Sequence, residues 1–141
     1  MAKRSPPAPR SSFRPVSPET TTVLGRRAED LALSHLEQHG LRLLERNYRC
    51  RGGEIDLVMM DGTTLVLVEV RSRSNAGFGS AAETVGARKQ ARITLAARHL
   101  LRTHAQLRRL RARFDVVALD PGDSPGEFRV SWIRDAFRTR G

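Results

Sequence analysis

Gly53-Glu54-Ile55-Asp56-Leu57-Val58 and Leu65-Val66-Leu67-Val68-Glu69-Val70-Arg71 decide how this chain is read. Both segments consist mainly of strand-forming apolar residues, and both carry carboxylates. Side chains alternate along a strand, so Glu54, Asp56 and Val58 are expected on one face of the first. Leu65, Leu67, Glu69 and Arg71 are expected on one face of the second. Asp61-Gly62 between them signals a tight turn and an antiparallel hairpin. Such a hairpin can bring together Asp56 and Glu69, 13 positions apart, on facing strands. Two adjacent carboxylates repel and are costly to desolvate, so the pairing gains nothing structurally. A divalent cation removes the conflict, and hard oxygen ligands suit Mg²⁺ or Mn²⁺. On the other reading of these acids, Glu54 and Asp56 line a solvated sheet face and pair with nearby arginines.

The segments around this hairpin predict a single domain over residues 21–141, after a basic, proline-rich tail over residues 1–20. The tail holds five of the seven prolines and no apolar rhythm. A helix is expected from Thr21 or Thr22 to Gly40, with Leu24, Ala28, Leu31, Ala32 and Leu36 on its inner stripe and Glu29 at the edge of that stripe or inside it. Leu41 to Tyr48 reads as an edge strand. Ser72 to Gly79 reads as a polar loop, and its Phe78 is the best candidate for an exposed aromatic. A second helix is expected from about Gly86 to Thr103, with Ile93, Ala96, Ala97 and Leu100 inward and Lys89 and Gln90 on the inner flank near its start. Strands at Arg113–Leu119 and Glu127–Ile133 follow, then a short helix near Arg134–Arg138. Three successive strands and a helical crossover into a fourth predict an α/β fold with a mixed central sheet flanked by helices.

The chain has 141 residues, with 25 basic against 15 acidic, a net charge of +10. That excess favours a polyanionic partner. From Arg88 to Arg113 there are nine basic residues and no acid. Arg88, Lys89, Arg92, Arg98 and Arg102 would track phosphates with little sequence readout. Aromatic residues are only 5%, too few for a base-stacking platform. His35 and His39 stand four apart without a third ligand and read as surface histidines. The one cysteine, Cys50, forms no internal disulfide, and no apolar run has the length of a membrane span or the pattern of a secretory signal. These features predict a cytoplasmic protein with no membrane association.

Acidic strands after a glutamate-bearing helix resemble the PD-(D/E)xK nuclease superfamily, which includes restriction enzymes and Holliday-junction resolvases. The match is closer to the small bacterial YraN-type family, described as endonuclease-like. It rests on Gly25-Arg26-Arg27-Ala28-Glu29, the Gly53–Val58 block, Val68-Glu69-Val70-Arg71, Lys89-Gln90, Arg113-Phe114-Asp115-Val116-Val117 and Trp132-Ile133-Arg134-Asp135-Ala136-Phe137. The resemblance implies a restriction-endonuclease-like αβββαβ core. It also implies that Asp56 and Glu69 bind metal, that Glu29 is the helix-borne acid, and that Gln90 is a polar helix position near the site. Arg71 stands where the superfamily has lysine. Arginine can orient water and hold phosphate charge but does not act as a base; Lys89, the only lysine outside the tail, is the candidate substitute.

The resulting expectation is a divalent-metal-dependent endonuclease that hydrolyses phosphodiester bonds of DNA, including branched or structured DNA, with RNA as a further candidate. Asp56 and Glu69 hold Mg²⁺ or Mn²⁺, Arg71 contacts the phosphate, and Glu29, Glu54 and Gln90 complete the catalytic set. The main-chain carbonyl of Val70 is a further candidate ligand. A homodimer with two active sites would suit junction cutting. The alternative is a nucleic-acid-binding module on the same fold without turnover, and a third reading is a structural adaptor for a protein partner.

Overall fold

The acidic hairpin forms the centre of a five-stranded sheet. The computed structural model describes residues 19–72 and 85–138. Phe78 and most of its loop, and residues 1–18 of the tail, lie outside the described residues. In chain order the elements are α1 (Glu19–Gln38), β1 (Arg42–Cys50), β2 (Gly53–Asp61), β3 (Thr64–Ser72), α2 (Ala87–Thr103), β4 (Arg111–Pro121) and β5 (Phe128–Phe137). A 3-10 turn at Ala105–Arg109 joins α2 to β4. The strands lie in sequence order; all neighbours are antiparallel except β3 and β4, which are parallel. This is the mixed, helix-flanked αβββαβ arrangement of a restriction-endonuclease-like core, extended by β5.

Hydrophobic periodicity explains the layers. Ala28, Ala32 and Leu36 bury one stripe of α1 against Leu57, Met59, Val66, Val68, Val117 and Leu119. Ile93, Ala96, Ala97 and Leu100 bury one stripe of α2 against Tyr48, Ile55, Val58, Met60, Leu65 and Leu67. Both faces of β2 and β3 are therefore covered, which is why these strands read as nearly continuous apolar runs. Gly62, at φ 62°, supplies the hairpin turn. Gly53 is needed for a different reason: a Cβ there would lie 2.4 Å from the Arg92 carbonyl oxygen and 2.9 Å from the Ala96 nitrogen. Helix α2 thus rests directly on the start of β2.

Strict alternation fails in β2. Ile55 and Val58, three positions apart, pack in the same cluster. Opposite this slip, between the pairs Arg46↔Leu57 and Tyr48↔Ile55, β1 carries Asn47 at φ 54°. The break falls between Ile55 and Val58, so Val58 packs with Ile55 and does not share a face with Glu54 and Asp56 as expected.

The predicted helix at Arg134–Arg138 is not formed. β5 continues to Phe137, and Asp135 adopts φ 52° in a register shift against β4. A buried acid enforces this geometry. Asp115, without solvent exposure, accepts hydrogen bonds from Arg113 Nε at 3.0 Å, Trp132 Nε1 at 2.9 Å and the Asp135 amide at 2.9 Å. The demand of a buried carboxylate for donors outweighs local helix preference. The first helix starts at Glu19, ahead of the expected Thr21 or Thr22.

Candidate active site

The pairing of β2 with β3 ends at Leu57↔Val68, one step before Asp56 and Glu69. There the ladder opens and a side chain takes over: Asp56 Oδ2 accepts the Val70 amide N–H at 2.8 Å. The Val70 amide thus holds Asp56 in place. Glu69 stands beside Asp56, and both are buried, at 2% and 7% exposure.

The electrostatics follow from that burial. Loss of hydration, then the Asp56 charge, push the Glu69 carboxyl up to about 8, against the pull of Lys89 and Arg71. Burial also raises Asp56, opposed chiefly by the Val70 amide. Glu69 is the member that keeps the proton. Its Oε2 lies 3.4 Å from Lys89 Nζ and 3.8 Å from an Arg71 guanidinium nitrogen. Its Oε1 is buried with no hydrogen-bond partner.

Glu29 reaches the pair from the α1 side. Its Oε1 accepts from Asn47 at 3.2 Å and Arg46 at 3.3 Å, and its pKa is raised by burial and then by the Asp56 charge. Asn47 and Arg46 were not singled out from sequence; the positive φ that aims Asn47 leaves only the weak signal of an asparagine within a strand. Glu54 is nearer the rim, 3.8 Å from both Arg49 and Arg92. That part matches the reading of acids paired with arginines; the burial of Asp56 and Glu69 does not. Gln90 is turned to the helix start, where its Nε2 donates to the Val85 carbonyl at 3.0 Å. It braces the first turn of α2 and makes no hydrogen bond to the acids. Lys89, by contrast, points into the site, as its inner-flank position suggested.

Arg88, Arg92, Arg98 and Arg102 are exposed on the outer side of α2, around the exposed Leu95. Arg92 is drawn toward Glu54, so it links this surface to the acidic site.

The donor set is compatible with a hard divalent ion. Two buried carboxylates meet and one of their oxygens lacks a hydrogen-bond partner, an all-oxygen donor set among the described residues. Among the described residues no three His, Cys, Asp or Glu side chains form a ready metal cage. An ion here would complete its shell with main-chain oxygen, water or substrate. Asp56 and Glu69 are the residues that would hold it.

These features define an α/β protein with a buried carboxylate pair at the opening of its central hairpin, attended by one lysine and one arginine. Residues 28–119 match the model of the uncharacterised protein family UPF0102, and the chain belongs to that family. It is 50% identical over 116 residues to a UPF0102 protein of Stutzerimonas stutzeri, covering 82% of this chain and 94% of the relative. It is 54% identical over 121 residues to one of Cupriavidus necator, covering 84% and 86%, and 45% identical over 119 residues to one of Pseudomonas aeruginosa, covering 84% and 95%. No helix among the described residues is long and apolar enough to cross a membrane.

Proposed function

We propose that this protein is a divalent-metal-dependent endonuclease of the PD-(D/E)xK type, acting on DNA, with branched or otherwise structured DNA as the leading substrate. The observation that carries the reading is the buried Asp56–Glu69 pair, which costs stability unless a cation joins it. A bound Mg²⁺ or Mn²⁺ would supply Lewis-acid polarisation of the phosphate and activation of water. The protein's own groups account for the rest. Arg71 and Lys89 hold the charge that develops on the phosphate, and Val70 fixes Asp56. Glu29, held by Asn47 and Arg46, adds a third carboxyl beside the pair. The arginines of α2 take up neighbouring phosphates without reading bases. A two-fold dimer would present two such sites to a junction.

The test is cleavage of labelled branched, single-stranded and duplex DNA, and of RNA, with Mn²⁺ or Mg²⁺ and with chelator. Metal-dependent products are expected from the wild type and not from Asp56→Ala/Glu69→Ala. Equal yields from both proteins, or none from either, would overturn the assignment. One observation favours a second reading, a binding module without turnover: arginine occupies the strand position where the superfamily has lysine. That reading predicts salt-dependent DNA binding that survives the double substitution.

A further inference from the structure

At the far end of α1 from the start of the chain, His35 lies in the last turn and His39 in the turn that follows. Their ring centroids are 4.6 Å apart with a 42° tilt. Residues four apart on a helix share a face, which lets two imidazoles converge on one point. His39 Nδ1 lies 2.8 Å from the His35 carbonyl oxygen. A carbonyl only accepts, so Nδ1 must carry the proton, and the lone pair of neutral His39 is on Nε2. Metal-binding histidines are commonly fixed in this way, with the other ring nitrogen donating to a carbonyl. Both rings stand edge-on to Trp132, at 6.3 and 5.5 Å. Trp132 is itself anchored through Nε1 to buried Asp115.

The geometry points to a second metal site, distinct from the acid pair, in which His35 and His39 together bind a Ni²⁺, Cu²⁺ or Zn²⁺ ion completed by water. The class of ion follows from the ligands. Imidazole suits these metals, and their affinities rise towards Cu²⁺ in this series. No carboxylate pairs with either ring among the described residues, and the Arg134 guanidinium lies 3.9 Å over Trp132. The local charge therefore opposes Mg²⁺, which needs oxygen ligands, and leaves binding to nitrogen lone pairs. The inference does not depend on the nuclease proposal.

Trp132 is the only tryptophan, so its fluorescence reports on this place alone. Untagged full-length protein is titrated with Cu²⁺ and Ni²⁺, which quench nearby indole emission, then with Zn²⁺ as a competitor. Saturable quenching at one ion per chain is expected, with excess Zn²⁺ reversing the Ni²⁺ quench and Mg²⁺ without effect. His39→Ala and His35→Ala each remove one half of the chelate and are expected to weaken binding at least about tenfold. Both side chains are at least partly exposed, so the variants retain the fold, and circular dichroism checks this. Asp56→Ala/Glu69→Ala is expected to titrate like the wild type. Quenching that persists unchanged in His35→Ala/His39→Ala, or that disappears in the Asp56/Glu69 variant, would overturn the assignment. So would binding by the wild type no tighter than by His39→Ala.

Discussion

Replacing Glu69 by glutamine is expected to make the protein more stable above neutral pH while abolishing metal binding at the acid pair. The carboxyl pKa is carried from an ordinary 4.5 to about 8 by burial and by Asp56. The folded chain therefore holds this proton more tightly than the unfolded chain. Between those two values the folded state is protonated and the unfolded state is not, so stability falls as pH rises. The contribution is fully present below 4.5 and is gone above about 8. Its upper limit is about 5 kcal/mol, from 1.36 kcal/mol per pH unit. Relaxation and coupling to Asp56 reduce it, leaving roughly 2–5 kcal/mol. Glutamine has nearly the same shape and never ionises. Urea unfolding in chelator should show similar stabilities for the two proteins at pH 4, and a more stable Glu69→Gln at pH 8.5. Adding Mn²⁺ at a hundred times its dissociation constant should return about 3 kcal/mol to the wild type and nothing to the variant. A Glu69→Gln protein less stable than wild type at pH 8.5 would refute the reasoning, because the pair would then stabilise the fold without a metal.

Lys89→Met removes the ammonium that lies 3.4 Å from Glu69 and is expected to lower DNA cleavage by about 10²–10³-fold, measured by single-turnover assay; an unchanged rate would remove Lys89 from the site. Gly53→Ala places a methyl group against the α2 backbone and should cost about 1–3 kcal/mol in urea unfolding, with no loss expected at Gly25, where a Cβ meets nothing within 4 Å. Arg88→Ala/Arg102→Ala should weaken DNA binding and reduce the slope of log affinity against log salt by about 2. An unaltered slope would mean that the outer side of α2 does not meet phosphate.

Much of this architecture is legible in the sequence because two periodicities are clean. The 3.6-residue stripes of Ala28, Ala32, Leu36 and of Ile93, Ala96, Ala97, Leu100 mark both helices, and Asp61-Gly62 marks the hairpin. The acid pair is legible for a physical reason too: charge within apolar strands is expensive and therefore conspicuous. What escaped notice depends on partners distant in the chain. Arg134–Arg138 has no local reason to be extended; Asp115, 20 positions before Asp135, draws its amide into the sheet. Asn47 reaches Glu29, 18 positions before it, from a positive-φ position in β1 that no spacing reveals. The inner-flank spacing of Gln90 gives no sign of its hydrogen bond to Val85, which is a property of the helix start.

The parallel pairing of β3 with β4 has a consequence for how the chain assembles. Its paired residues, from Thr64 with Arg111 to Ser72 with Leu119, are all 47 positions apart. Closing a loop of that length costs about 3 kcal/mol of chain entropy before any contact rewards it, whereas β1, β2 and β3 meet through tight turns. The three-stranded meander is therefore expected to lead, with β4 and β5 joining late. Substitutions at Leu57 or Val66 should slow refolding, whereas those at Val117 should mainly hasten unfolding; the opposite pattern in stopped-flow kinetics would reverse the order. On this order the two acids meet inside the nucleus itself, so the nascent chain carries its electrostatic conflict from the first committed step.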